Sequence, residues 1–378
     1  MATKFPRPWA WALYLVSMVV LTPPRYCSSV RIVPPAVFVI GGTLVDAGTN
    51  AFLPNSTAIA ANFPFYGIDF FDSVPHGRSS NGRVVSDEVA RRIGFEMSPP
   101  SYLSLVAGGY PSYKFNRTIT SRGVNFASAF SGVLSSTGRA YGQVVPYPEQ
   151  VRQFSTSVAG NLTAVLGQPG SANFIRQSFF LFSVGVGDTV EYIQNLTAGR
   201  PYYRSDDLFL DAFISQFVGG LLDLYAVGLR RSGIVAPPPI GCLPYFRALN
   251  ATGGCNARAN SLSQAIYQRL TLALRSLGAS APGLIYAIGN TYRFVSDLLA
   301  FPEGAANCGL KELRAPCCGN EATPCSPTAT LCRNRTEYWF WDQYSVTEYA
   351  VGLLVEAFFS DNADYVSPIN FGQLLIKY

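Results

Sequence analysis

Charged residues are scarce in this 378-residue chain, since Asp, Glu, Lys and Arg together make up only 13% of it. Hydrophobic residues make up 48%, which excludes an intrinsically disordered protein and predicts a sizeable buried core. The formal net charge is +5, but Lys4, Arg7 and Arg25 lie near the N-terminus, and without them 25 basic residues face 23 acidic ones. This near balance excludes the basic surface that nucleic-acid binding needs.

No segment of the chain is predicted to cross a membrane. The N-terminal apolar run, residues 9–21, has 13 residues, which at 1.5 Å per residue falls short of the hydrocarbon thickness of about 30 Å. It follows two basic residues, and the small residues Cys27 and Ser29 stand at the −3 and −1 positions of a cleavage site. We therefore predict a secretory signal peptide at residues 1–29 and no transmembrane anchor; an uncleaved N-terminal anchor is the alternative.

Cysteine usage agrees with secretion, because disulfides form in oxidising compartments. Six of the eight cysteines are predicted to form disulfides, with their pairing left open: Cys242, Cys255, Cys317, Cys318, Cys325 and Cys332. Cys308 is the candidate free thiol of the mature chain. A zinc site is the rival interpretation, but the spacings lack the C-x₂-C pattern, and we predict neither a metal nor a cofactor.

Six Asn-x-Ser/Thr sequons add to the case for secretion, since such sites are glycosylated along the secretory route. These glycosylation candidates are Asn55, Asn116, Asn161, Asn195, Asn250 and Asn334.

Short, continuous apolar runs alternate with helical patterns from residue 30 to residue 378, and no linker or repeat divides them. Runs without polar alternation are typical of strands buried on both faces of a parallel sheet. The five runs are residues 37–40, 123–126, 179–182, 233–235 and 284–287. Residues 207–231, 256–277 and 347–359 are the clearest predicted helices. The pattern predicts one doubly wound α/β domain, residues 30–378, with ligands at the carboxyl ends of its strands.

Six short motifs resemble blocks of the plant GDSL esterases/lipases, a branch of the SGNH hydrolases. After the first strand the chain has GGTLVDAGTN, residues 41–50, which resembles the signature block. The other motifs follow in the family's order, from residue 66 to residue 342: YGIDF, SNGR, GVNFAS, PPIGCLP and CCG followed by WD. Together they cover nearly the whole mature chain. The resemblance implies a flavodoxin-like, three-layer α/β/α sandwich, hydrolysis of carboxylic esters of lipids or acylated glycans, and a plant cell-wall or apoplastic location.

The family's catalytic residues are largely replaced. The resemblance places Thr43 at the position of the nucleophilic Ser, Asp342 at the triad Asp, and Ser345 at the triad His. Serine cannot act as a general base near neutral pH. The chain has a single histidine, His76, in a loop after the signature block, where it is a candidate for a substitute base.

The oxyanion positions are altered as well. Ala129 and Phe130 stand where the family has a Gly pair, and Gly187 stands where it has the Asn donor. Loss of one such donor costs about 2.7–4 kcal/mol of transition-state stabilisation.

Three hypotheses follow from these replacements. The first is a secreted pseudoenzyme that keeps the fold and binds an acyl lipid, an acylated glycan or a protein. The second is an active esterase or acyltransferase that pairs Thr43 with His76 or with another base outside the family pattern. The third is a structural wall protein, which predicts that the cleft above Thr43 is filled, for example by Phe130.

Overall fold

The structure, a computed structural model, describes residue 1, residues 33–56 and residues 61–376. Residues 2–29 of the predicted signal peptide lie outside this part. Residues from Val33 onward form one compact unit. Its strands are β1 Val37–Gly41, β2 Gly123–Asn125, β3 Phe179–Ser183, β4 Arg231–Val235, β5 Ile285–Gly289, β6 Glu312–Pro316, β7 Tyr338–Phe340 and β8 Val366–Ser367.

The main sheet has the strand order β2-β1-β3-β4-β5-β8. β1 to β5 are parallel, and the two-residue β8 pairs with β5 in the antiparallel sense. The five predicted strands are thus confirmed, as is the three-layer α/β/α class. The chain order reverses between β1 and β3, and in such sheets the crevice at the carboxyl ends of these strands is the usual ligand site.

The helices connect the strands and cover both faces of the sheet. In the described part they are α1 Val85–Arg92, α2 Tyr102–Ala107, α3 Ser112–Ser121, α4 Tyr147–Gln153, α5 Ala159–Gln177, α6 Val186–Thr197, α7 Asp206–Ala226, α8 Pro244–Ala248, α9 Ala257–Ser280, α10 Thr291–Ala300, α11 Pro302–Asn307, α12 Glu348–Phe359 and α13 Gln373–Ile376. Asn256 and Thr347 cap α9 and α12 with their side chains, so both helices begin one residue after the predicted start.

The prediction of one helix over residues 207–231 is wrong at its C-terminal end. The helix α7 stops at Ala226, and Gly228 follows with a φ of +122°, a left-handed conformation that ends helices. Arg231 is the buried first residue of β4, and Arg230 lies over the ring of Tyr225 at 3.9 Å. The two arginines therefore belong to the turn and the strand, not to the last helical turn.

Aromatic side chains fill much of the core beside β1 and β3. The ring of Phe38 lies 4.9 Å from that of Phe154 and 5.1 Å from that of Phe180, and all three side chains are fully buried. In the described part α7 is the one helix long and apolar enough to span a membrane. Its residues Phe213 and Phe217 are buried in this same core.

A small region outside the main sheet carries the C-terminal part of the site. β6 and β7 form a separate parallel pair, and two disulfides, Cys317–Cys332 and Cys318–Cys325, join the loop between them. Trp341 is fully buried against these disulfides. This second core fixes the backbone just before Asp342.

Candidate functional site

Thr43 lies at the switch point of the sheet, in the 3₁₀ turn Thr43–Val45 that follows β1. The turn packs tightly on β3, because a Cβ at Gly41 would lie 2.3 Å from the carbonyl oxygen of Ser183. Thr43 is 9% exposed. In the described part its hydroxyl has one hydrogen bond, which it accepts from the N–H of Phe130 at 3.0 Å.

Buried side chains join the signature block to the loop after β2. Asp46 accepts hydrogen bonds from the N–H groups of Gly48, Thr49 and Ala129 at 2.7–2.8 Å. Burial raises the pKa of Asp46 to about 6, although these three donors act to lower it. The amide of Asn50 donates to the Ala129 carbonyl at 2.9 Å.

Two further buried residues hold the same loop, and both escaped the sequence analysis. The side-chain amide of Gln150 accepts from Gly41 N–H at 2.7 Å and donates to the carbonyls of Gly41 and Val145 at 3.0 and 2.7 Å. No motif singled out this glutamine. Asp188 accepts from three donors of residues 133–137 at 2.9–3.0 Å, and its place directly after Gly187 was an available signal.

The predicted oxyanion positions are occupied by other interactions. The N–H of Ala129 binds Asp46 and that of Phe130 binds Thr43, so neither points to an empty site. At Gly187 a Cβ would lie 2.5 Å from the Ser131 carbonyl oxygen, so an Asn does not fit without movement of the loop. Gly187, at the predicted position of the Asn donor, thus allows a close approach of the backbone of Ser131.

Phe130, whose N–H binds the Thr43 hydroxyl, packs its ring on two tyrosines. Its φ is +62°, a left-handed conformation that costs a residue with a side chain about 1 kcal/mol or more. Its ring lies 4.7 Å from that of Tyr141 and 5.2 Å from that of Tyr344. The space left beside Thr43 has a volume of about 10 Å³, which is about what one water molecule needs.

Asp342 is buried among neutral hydrogen-bond donors. It accepts from the N–H groups of Tyr344 and Ser345 at 2.8 and 2.7 Å and from the hydroxyl of Tyr66 at 2.7 Å. Burial raises the pKa of Asp342, against these donors and a further hydrogen bond from the Ser345 side chain. Ser345 is itself 2% exposed, so the position of the family's His is a packed hydroxyl beside the carboxylate.

The backbone of His76 lies close to the signature block, but its imidazole contacts other residues. A Cβ at Gly48 would lie 2.1 Å from the His76 carbonyl oxygen, which shows how closely the loop folds back. The imidazole Nε2 instead lies 2.7 Å from the Asp72 carboxylate, and its ring packs on Phe70 at 5.2 Å. No hydrogen bond joins His76 to Thr43 in the described part of the chain.

The six predicted disulfide cysteines are all confirmed, as Cys242–Cys255 and the two disulfides near β6 and β7. Cys308 has a free, exposed thiol. Among the described residues no group of three or more His, Cys, Asp or Glu is placed to hold a metal ion. Of the sequon asparagines, Asn55 and Asn334 are exposed; the half-buried ones are Asn116, Asn161, Asn195 and Asn250. Their glycosylation stays a prediction.

A parallel sheet with a hydroxyl at its switch point, backbone amides beside that hydroxyl and a buried aspartate from the C-terminal region define the class of α/β ester hydrolases. A family model described as GDSL-like Lipase/Acylhydrolase matches residues 37–358, and the chain belongs to this family. It is 31% identical to GDSL esterase/lipase 7 of Arabidopsis thaliana over 90% of this chain and 92% of that protein. It is also 31% identical to GDSL esterase/lipase 6 of the same plant, over 95% and 93%. The predicted family is thus confirmed.

Proposed function

We propose that this chain is a secreted member of the GDSL esterase/lipase family with little or no ester hydrolysis, which acts by binding a ligand. The observation that carries the proposal is the surroundings of Thr43. Its hydroxyl accepts a hydrogen bond from Phe130 N–H, and no base contacts it in the described part of the chain. An alcohol is a poor nucleophile until a base removes its proton.

The position of Asp342 supports the same conclusion. In a catalytic triad the aspartate orients a histidine, but here the carboxylate is bound by two backbone N–H groups and a tyrosine hydroxyl. The lone imidazole is paired with Asp72. Loss of nucleophile or base function in a serine hydrolase lowers turnover by about 10⁶-fold.

The disulfides support a secreted location. Three disulfides in the described part of the chain suit an oxidising compartment such as the plant apoplast or cell wall. The family's substrates are acyl esters of lipids or glycans, but the space beside Thr43 takes about one water molecule and no acyl group. We therefore place the ligand of this protein beside that position, not over it.

Ester turnover tests the proposal directly. Purified glycosylated protein is assayed with p-nitrophenyl acetate and butyrate beside a heat-denatured sample, and Thr43→Ala is assayed in parallel. We expect the rate of the native protein to equal that of the denatured one, and Thr43→Ala to leave it unchanged.

Thr49→Ala is the matched control, because it also removes a buried hydroxyl from the signature block. Hydrolysis that is lost in Thr43→Ala and kept in Thr49→Ala contradicts the proposal and supports the hypothesis of an active esterase. A purely structural wall protein would show no turnover either. It would also bind no ligand, so a binding measurement distinguishes it from the proposed function.

A further inference from the structure

A second cavity, of about 100 Å³, is lined by Asp342 and Phe130. Four of the residues that line it are aromatic: Phe63, Tyr66, Phe130 and Tyr344. All four are half-buried, although they belong to three distant parts of the chain. The cavity is thus a small aromatic box with one carboxylate in its wall.

The rings are arranged edge to face in two pairs. The ring centroids of Phe63 and Tyr66 lie 5.0 Å apart, and those of Phe130 and Tyr344 lie 5.2 Å apart. The face of an aromatic ring carries partial negative charge and attracts a cation within about 6 Å of its centroid. Several such rings around one space favour a cationic ligand.

Asp342 is the only charged residue among the described residues that line this cavity. It is 7% exposed, and its hydrogen-bond donors are the N–H groups of Tyr344 and Ser345 and the hydroxyls of Tyr66 and Ser345. None of these donors carries a charge. A buried carboxylate without a cationic partner is unfavourable, so a bound cation would be stabilised by it.

The volume limits the ligand to a small group. A dry cavity of about 150 Å³ holds benzene, so about 100 Å³ takes four or five heavy atoms. Calcium or magnesium would need about six oxygen ligands, which one carboxylate among aromatic rings does not supply. A methylated ammonium group needs no hydrogen-bond acceptors and is recognised by aromatic faces.

We propose that this cavity binds a small organic cation, a methylated ammonium group, between the carboxylate of Asp342 and the aromatic rings that line it. This inference rests on the proposed function, which states that the protein acts by binding a ligand. It names the class of that ligand and places it beside Asp342, away from the hydroxyl of Thr43.

Isothermal titration calorimetry of the full chain tests the proposal with tetramethylammonium chloride, at constant ionic strength set by sodium chloride. Neopentyl alcohol serves as the uncharged compound of the same branched shape. We expect saturable binding of tetramethylammonium and at least about tenfold weaker binding of neopentyl alcohol, because only the cation interacts with the carboxylate and the ring faces.

Two variants assign the binding to this cavity. Asp342→Asn removes the charge at almost constant volume and is expected to weaken tetramethylammonium binding about tenfold or more. Tyr344→Leu removes one ring and is expected to weaken it about threefold to tenfold. The control is Asp207→Asn, since its carboxylate is 80% exposed on α7, and we expect no change there.

Equal binding of the cation and the alcohol, no binding of the cation, or unchanged binding in Asp342→Asn overturns the proposal. If Asp342→Asn does not fold, the comparison of the two compounds on the unaltered chain and the Tyr344→Leu variant decide it. Ester hydrolysis would depend on Thr43, not on this cavity. Observed turnover would therefore contradict the proposed lack of hydrolysis without affecting the test of cation binding.

Discussion

The hydrogen-bonded frame beneath Thr43 differs sharply from the surface above it. In the frame, Asp46, Asn50, Gln150 and Asp188 satisfy buried backbone groups at the end of β1, in the signature block and in the loop after β2. At the surface, Phe130 is in a left-handed conformation, and Thr43 has a single hydrogen bond in the described part. The frame therefore supports folding, in which buried backbone groups need hydrogen-bond partners, whereas the pairing at the surface is sparse.

The largest expected effect comes from breaking the frame at Gln150. Gln150→Ala leaves the Gly41 N–H and the Val145 carbonyl without their partner, and each such buried group costs about 1–3 kcal/mol. We expect the free energy of unfolding to fall by about 3 kcal/mol or more, measured by urea denaturation. Gln177→Ala, at an exposed glutamine that ends α5, is the control. A loss below about 1 kcal/mol would show that the frame is not needed for folding.

The next largest effect is the pH dependence of the free energy of unfolding that is caused by Asp46. Its pKa is about 6 in the folded chain against 3.8 when unfolded, so the folded state binds the proton more tightly. This contribution to stability is present below pH 4 and is lost as the pH rises through about 6. The change amounts to about 3 kcal/mol at 1.36 kcal/mol per pKa unit.

Urea denaturation from pH 4 to pH 7 measures this contribution as the difference between the unaltered chain and Asp46→Asn. Other carboxylates titrate in both proteins and cancel in that difference. We expect the stability advantage of the unaltered chain to shrink with rising pH. A difference that is constant or grows with pH shows that Asp46 is ionised throughout.

At the surface, a pair of variants at Phe130 measures the backbone strain. Phe130→Gly and Phe130→Ala both remove the ring, but only glycine adopts a φ of +62° without penalty. We expect the glycine variant to be more stable than the alanine variant by about 1 kcal/mol in urea denaturation. Equal stability, or a more stable alanine variant, would mean that the loop relaxes and stores no strain.

The smallest expected effect is that of Thr43→Ala on stability. The substitution removes one hydrogen bond from a nearly buried hydroxyl, which is worth about 0.5–1.5 kcal/mol. We expect a loss within this range, well below that of Gln150→Ala in the same experiment. A loss as large as that of Gln150→Ala would make Thr43 part of the frame and remove the distinction between the two regions.

Much of the frame's outline could be predicted from the sequence, but its contacts could not. The signature block and the loop after β2 were found as motifs, and both hold Thr43 in the structure. Gln150 was missed because it lies 109 residues from Gly41 and belongs to no motif. The imidazole of His76 was a candidate base, and only its spatial neighbours show that it pairs with Asp72.

The sequence by itself determined the five parallel strands, since continuous apolar runs suit only strands that are covered on both faces. It also predicted the loss of the family's base, because the resemblance places Ser345 at the His position and a single histidine is present. The tertiary structure alone decided that Arg231 begins β4 and that the N–H of Phe130 binds the hydroxyl of Thr43. It alone joined Phe63, Phe130 and Asp342 around one cavity. Such features depend on residues far apart in the chain, whose positions are set by packing and not by local pattern.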